Sequence, residues 1–203
     1  MFDRLHHVAY RCQDAQATVD FYTKVVGLEY VAGLAGPENK GSSWPLIEAG
    51  QPPRKVLAAP ADAIHIFFKL GDGSYLAFFD VASSPQEVVD PNTPWWVNHI
   101  AFETTDMDSL SAAKARLEAS GVQVLGPKNH DFCQSIYFFD PNGHRLEITV
   151  RTEQASTWPT LIDKAPEELA KWNALKARKY GHEAGSRPAR IAGMPSDATV
   201  VAA

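Results

Sequence analysis

The hydrophobic and polar positions of this chain follow the same order in two separate segments. Each segment begins with a mostly apolar strand, followed by an aspartate that can cap a helix and by apolar residues at helical spacing. A glycine then ends each helix, and a short apolar strand follows, reading LEYV in the first segment and VQVL (122–125) in the second. Residues 5–33 align with residues 97–126 so that His7 falls on His99. The pattern therefore predicts one structural unit present twice.

Two further strands complete each unit as a hairpin. In the first unit they are predicted at 63–70 and 74–81, joined by a Gly-Asp-Gly turn. In the second unit they are predicted at 135–139 and 145–150, joined by the sequence Asp-Pro-Asn-Gly-His. Each unit is therefore a strand–helix–strand–strand–strand (βαβββ) module, and the predicted fold class is α+β.

The modules and their connections account for the whole chain. The predicted divisions are a first module over 1–81, a linker over 82–94, a second module over 95–151 and a C-terminal extension over 152–203. The first module carries a Gly/Pro-rich insertion over 33–62, and such long loops are usually functional or mobile. In the extension, Pro166 can open a helix over about 166–180 that Gly181 ends, and a loosely ordered tail is expected after it.

Composition narrows the class of protein. The 203 residues are 45% hydrophobic and 21% charged, which is ordinary for a globular protein. A net charge of -5 argues against a nucleic-acid partner, and no apolar stretch reaches the roughly 20 residues that span a membrane. Cys12 and Cys133 are too few for a disulfide framework. The N-terminus lacks a secretory pattern, so a reduced cytoplasm is the default location.

Strand parity indicates where chemistry could occur. His7 and His99 occupy the same position in the two modules, and each is followed two residues later by a small alanine on the same face. Glu147 lies on the face opposite Leu146 and Ile148. A single strand histidine is more often structural, but its repetition in both halves favours metal ligation. Two imidazoles and one carboxylate are the ligand set of non-haem Fe(II) enzymes.

Three stretches together resemble the vicinal oxygen chelate superfamily: HHVAYRCQDAQATVDFYTKVVGLEY, NHIAFETTD and YFFDPNGHRLEI. This superfamily includes glyoxalase I, bleomycin-resistance proteins, methylmalonyl-CoA epimerase and extradiol ring-cleaving dioxygenases. The resemblance implies that two βαβββ modules pair into an open cup of sheet that holds a divalent metal. It places the ligand positions at His7, Ala77, His99 and Glu147. It also implies a homodimer, and because both modules lie in one chain, a site within that chain is favoured.

Ala77 departs from the isomerase-type members, which usually carry a Glu or Gln at this position. A vacancy there is the pattern of the extradiol dioxygenases, whose metal is Fe(II) or sometimes Mn(II). Ligand softness also permits Zn(II), Co(II) or Ni(II). The resemblance therefore implies that His7, His99 and Glu147 bind the metal, most readily Fe(II). The substrate would be a catechol-like aromatic that chelates this metal through adjacent oxygens, and dioxygen would be the second substrate.

The same resemblance implies that His130 and Tyr137 are catalytic groups that donate hydrogen bonds or protons to the bound oxygen species. Tyr137 shares a face with Glu147 only if the hairpin loop has five residues, 140–144. The additional histidine of the dioxygenases has no match in GDGSYLAF. His65 could substitute for it, although a hydrogen-bonded structural histidine is the more ordinary account. A non-redox lyase or isomerase and a non-enzymatic small-molecule binding protein are the alternatives.

Overall fold

The computed structural model of the protein describes residues 3–35, 63–82 and 93–181. The chain divides into two compact units. The first contains both modules and ends at Thr152, and the second contains the chain from Glu153 onwards. Most of the 33–62 insertion, the central part of the 82–94 linker and the tail after Gly181 lie outside the described residues.

The first module has the predicted order of elements. These are β1 (His7–Cys12), α1 (Ala15–Asp20), a π-helical segment (Phe21–Val26) that continues α1, β2 (Glu29–Ala35), β3 (Ala63–Lys69) and β4 (Tyr75–Val81). The Asp14 carboxylate accepts a hydrogen bond from the Ala17 backbone N–H and so caps α1. Gly27, at φ +92°, ends the helical run. The sheet order is β1-β4-β3-β2, with β1 parallel to β4 and the other pairs antiparallel.

The second module repeats this arrangement. Its elements are β5 (His99–Thr104), α2 (Met107–Ala119), β6 (Leu125–Asn129), β7 (Cys133–Phe139) and β8 (Arg145–Arg151). Asp106 caps α2 by accepting from the Ser109 backbone N–H at 2.7 Å. The sheet order is β5-β8-β7-β6, which matches the first sheet strand for strand. The predicted α+β fold of two βαβββ modules is confirmed.

One strand of the second module lies elsewhere than predicted. The segment 122–125 is not a strand before Leu125, and β6 occupies Leu125–Asn129 instead. Val122 and Val124 are partly buried against the hydrophobic core within the connection from α2. Val122 and Val124 alternate with exposed residues because every second side chain of this connecting segment faces the core. This alternation has the same period as that of a strand.

A single hydrophobic core joins the two modules. Its largest fully buried side chains come from both halves and include Tyr22, Phe68, Phe78, Leu117, Phe138 and Leu146. Tyr22 and Leu117 lie on the helical segments. The strand residues of this set belong to the sheet faces opposite His7, His99 and Glu147, since side chains alternate along a strand. The residues predicted to do chemistry therefore lie on the faces turned away from this core.

Polar contacts at the edge of this core also hold the modules together. The Tyr22 hydroxyl donates to Asp140 Oδ2 at 3.0 Å, and Asn142 Nδ2 donates to Thr18 Oγ1 at 3.2 Å. We call these four residues the module clamp. Burial, together with the nearby Asp140 carboxylate, raises the pKa of Tyr22 well above its ordinary value, so the hydroxyl stays protonated as a donor. The hairpin turn of the second module is thus bound to the helical run of the first.

In the second unit, α3 runs from Thr157 to Tyr180. The predicted start at about 166 was wrong, because Pro166 lies inside the helix. Pro159 sits in the first turn, where a missing N–H costs no intrahelical hydrogen bond. Gly181, at φ +66°, ends the helix as expected. Among the helices within the described ranges, none combines the length and hydropathy that a bilayer crossing requires.

Candidate metal and catalytic site

Strand register places the predicted ligand positions at equivalent points of the two sheets. Ala9 pairs with Ala77 across β1 and β4, and Ala101 pairs with Glu147 across β5 and β8. Ala77 is therefore the structural counterpart of Glu147, which agrees with the ligand positions that the resemblance implies. Only the second module carries a carboxylate at this position.

His99 and Glu147 face each other on the second sheet. His99 Nε2 lies 3.1 Å from Glu147 Oε2, and Glu147 is only 7% exposed. The other ring nitrogen, Nδ1, lies 3.0 Å from the Val97 carbonyl oxygen. A neutral imidazole has a single N–H, so it cannot donate to the carbonyl and to the carboxylate at once.

When the Nδ1–H donates to the Val97 carbonyl, the lone pairs of His99 Nε2 and Glu147 Oε2 face each other and can share a cation. Two ligand atoms lie about 3 Å from each other when each is about 2.1 Å from the same ion and the two bonds form a right angle. The separation of 3.1 Å therefore fits two neighbouring ligands of a divalent metal. The Val97 carbonyl would fix the ring in the tautomer that such ligation needs.

Tyr137 and His130 extend this pair into a chain of four polar side chains. The Tyr137 hydroxyl donates to Glu147 Oε1 at 3.2 Å, and His130 Nε2 lies 2.7 Å from the same hydroxyl. Burial, followed by the Glu147 charge, raises the pKa of Tyr137, so its hydroxyl remains a donor. The loop between β7 and β8 has the five residues 140–144, and Tyr137 pairs directly with Glu147. The five-residue loop that was required to place Tyr137 on the same face as Glu147 is confirmed.

His7 lies on the corresponding face of the first sheet. Its ring centroid is 6.3 Å from that of His65 and 5.9 Å from that of Phe67. Within the part of the chain that the structure describes, no group of three His, Cys, Asp or Glu side chains could hold a metal ion. The structure thus brings together His99 and Glu147 of the expected ligand set and leaves His7 apart from them.

His65 differs from a hydrogen-bonded structural histidine. Its ring stacks on Phe79 with centroids 3.7 Å apart, and its Nε2 atom is buried without a hydrogen-bond partner among the described residues. Burial, followed by the nearby His7, lowers the pKa of His65, so its neutral form is favoured. The first sheet therefore holds a neutral imidazole with a buried nitrogen that has no partner among the described residues.

Sequence reasoning missed Arg145 as a functional residue. Its guanidinium carbon lies 4.0 Å from the Tyr137 ring centroid and 5.7 Å from that of Trp95. All three side chains line a cavity of about 550 Å³ at the end of the β7–β8 hairpin. The available signal was parity, since Arg145 precedes Glu147 by two residues and shares its face.

Comparison with known proteins defines the family. Residues 4–148 match the model of the Glyoxalase/Bleomycin resistance protein/Dioxygenase superfamily. A 2-epi-5-epi-valiolone epimerase from an Actinomyces species is 30% identical over 154 residues, which span 71% of this chain and 77% of that protein.

Two solved structures illustrate the shared fold. A glyoxalase family protein from Enterococcus faecalis has a TM-score of 0.51 at 24% identity, covering 73% of this chain and 98% of its own. A variant of a fosfomycin resistance protein from Listeria monocytogenes, solved with Mn(II) and a dihydroxypropylphosphonic acid, has a TM-score of 0.50 at 17% identity. It covers 78% of this chain and 98% of its own.

These comparisons correct one prediction and support another. The expectation of an extradiol dioxygenase was wrong, because the curated relative is an epimerase and so favours an isomerase-type activity. That expectation rested on the vacancy at Ala77. The superfamily assignment itself is confirmed over most of the chain. The chain therefore belongs to the Glyoxalase/Bleomycin resistance protein/Dioxygenase superfamily.

Proposed function

We propose that the protein is a metal-dependent isomerase of the epimerase type, which inverts a carbon stereocentre adjacent to a carbonyl group. The observation that carries this proposal is the contact of His99 Nε2 with Glu147 Oε2 at 3.1 Å, beside a tyrosine and a second histidine. The epimerase relative supports the reaction class. The substrate class is a hydroxyketone with vicinal oxygens.

His99 and Glu147 would hold the divalent metal, together with a third ligand from His7. When bound, the ion supplies Lewis acidity, which increases the acidity of a C–H bond next to a chelated carbonyl. The role of the protein is to hold the two ligands in place. The Val97 carbonyl orients the His99 ring, and the Tyr137 hydroxyl donates to the Glu147 carboxylate.

Inversion also needs a proton removed from one face of the carbon and returned to the other. Tyr137 and His130 can transfer one proton, because the two side chains are 2.7 Å apart and form a relay ending beside Glu147. His65 is the candidate for the opposite face. Its neutral imidazole has a nitrogen without a partner among the described residues and lies beside His7.

Solvent isotope exchange tests the reaction class. Protein loaded with Mn(II) is incubated in D₂O with 2-epi-5-epi-valiolone and with simple hydroxyketones, both neutral and anionic, and proton NMR follows the carbon next to the carbonyl. We expect deuterium to enter at that carbon, because inversion passes through loss of its proton. Absence of exchange in every hydroxyketone, with a full complement of metal, would contradict the proposal.

The position of His7 leads us to propose that two copies of the chain complete each metal site. His7 of one copy would join His99 and Glu147 of the other, since the described residues bring no three such ligands together within one chain. A symmetric dimer would then contain two identical sites. This proposal replaces the site within one chain that the single-chain repeat favoured.

A mixing experiment tests the shared site. Neither the His7→Ala variant nor the His99→Ala variant is expected to exchange deuterium alone. After unfolding and refolding together, half of the dimers are mixed, and each mixed dimer has one intact site. Activity should therefore recover to about a quarter of the wild-type value. No recovery, with mixed dimers demonstrated by mass spectrometry, would show that both histidines must belong to the same chain.

A further inference from the structure

Arg145 forms few polar contacts among the described residues. A guanidinium has five N–H donors, and in the described residues its hydrogen bonding consists of Nη1 donating to the Trp96 carbonyl at 3.0 Å. Its Nε atom is buried and has no hydrogen-bond partner among the residues that the structure describes. No acidic side chain of the described ranges forms an ion pair with it, although Glu147 is only two residues away.

The position of this guanidinium is fixed from several sides. The Tyr137 ring lies beneath it at 4.0 Å, Trp95 lies 5.7 Å away, and the Trp96 carbonyl binds one end. Such contacts with aromatic rings hold an arginine in one orientation and reduce its contact with water. A charge held in this way, with no counter-ion in the described ranges, can bind an anion.

The surroundings of Arg145 are suited to part of a substrate. The cavity of about 550 Å³ is lined mainly by apolar side chains, and its acidic member, Asp140, is already occupied by hydrogen bonds within the hairpin and the module clamp. Residues two apart on a strand are about 7 Å apart. Arg145 and Glu147 share one face of β8 at this spacing, so one substrate can contact both.

We propose that Arg145 binds an oxyanion group of the substrate, either a carboxylate or a phosphate. The substrate is then an anionic hydroxyketone rather than a neutral polyol. This inference rests on the proposed function, since it specifies the substrate class of the same site. It assigns Arg145 to substrate recognition, with proton transfer left to other residues.

Anion binding to the protein measures this assignment directly. Acetate and inorganic phosphate are titrated separately, with calorimetry and the fluorescence of the tryptophans as readouts. We expect one of the two anions to bind and its affinity to fall at least about tenfold in the Arg145→Met variant. The Arg145→Lys variant keeps the charge but loses the planar fork, and it should weaken binding several-fold. If the Arg145→Met variant does not fold, the Arg145→Lys variant provides the test.

Two controls make the result specific. Arg151→Met removes an arginine from the same strand that is paired with Glu103, and it should bind the anions as the wild type does. His99→Ala should retain anion binding, because the metal is not the proposed receptor. Equal binding in wild type and both Arg145 variants, or loss in His99→Ala alone, would overturn the assignment, as would binding of neither anion by the wild type.

Failure of this inference can be told apart from failure of the proposed function. If deuterium exchange occurs but Arg145 variants bind anions normally, the isomerase proposal stands and the recognition role falls. If anion binding depends on Arg145 but no hydroxyketone exchanges deuterium, the anion site stands and the isomerase proposal falls.

Discussion

The Glu147→Gln variant is expected to lose its divalent metal and to slow deuterium exchange by on the order of 10³-fold. Glutamine has nearly the same shape and keeps an oxygen that can accept from Tyr137. It carries no charge, however, so the cation beside His99 loses its anionic ligand. Atomic emission analysis of the purified protein and NMR exchange rates measure the two effects. The fold should survive, because the packing around residue 147 is unchanged.

A second glutamate provides the control, because its substitution removes the same charge at a distance from the proposed metal site. Glu103 lies on β5 in an exposed ion pair with Arg151, at 2.8 Å. Glu103→Gln should keep its metal and its exchange rate, since surface ion pairs contribute little. Full metal content in both Glu147→Gln and Glu147→Ala would show that residue 147 is not a ligand, whatever happens to the activity.

The Asp140→Ala variant is expected to destabilise the first unit by about 3 kcal/mol. Asp140 Oδ2 accepts from the buried Tyr22 hydroxyl, and Oδ1 accepts from the backbone N–H groups of Asn142 and His144. Alanine leaves all three donors without this acceptor, and buried donors without a partner are costly. Urea unfolding followed by circular dichroism measures the change in the free energy of unfolding.

The hairpin of the first module supplies the control. Asp72 also accepts within its own turn, from the backbone N–H and the hydroxyl of Ser74. Its carboxylate is exposed and contacts no side chain of the other module within the described residues. Asp72→Ala should therefore be far less damaging than Asp140→Ala. Equal effects would mean that Asp140 stabilises only its own turn and that the module clamp contributes little.

Much of the fold was predictable because it depends on short-range patterns. Alternation of apolar residues marked the hairpin strands, and capping aspartates marked the starts of the first two helices. Strand parity then placed Glu147 opposite Leu146, and a five-residue loop was sufficient to place Tyr137 beside it. The contacts among Tyr137, Glu147 and His99 were therefore accessible from the sequence.

The rest depends on how distant segments meet. Asp140 lies in a sequence that is typical of a turn. No local pattern indicates that the Tyr22 hydroxyl of the other module donates a hydrogen bond to it. Similarly, the repeat aligned His7 with His99 but could not specify whether one chain brings them together. The reaction class was predicted wrongly for a different reason. Ala77 records only the absence of a ligand, and the same absence is compatible with more than one chemistry.

The module clamp and the shared core have a consequence for how the protein unfolds. Core side chains come from both modules, and the Tyr22–Asp140 hydrogen bond joins them. Neither module has a complete interior of its own, so we expect both to melt in a single cooperative transition. A substitution in the core of one module should therefore lower the melting temperature of both.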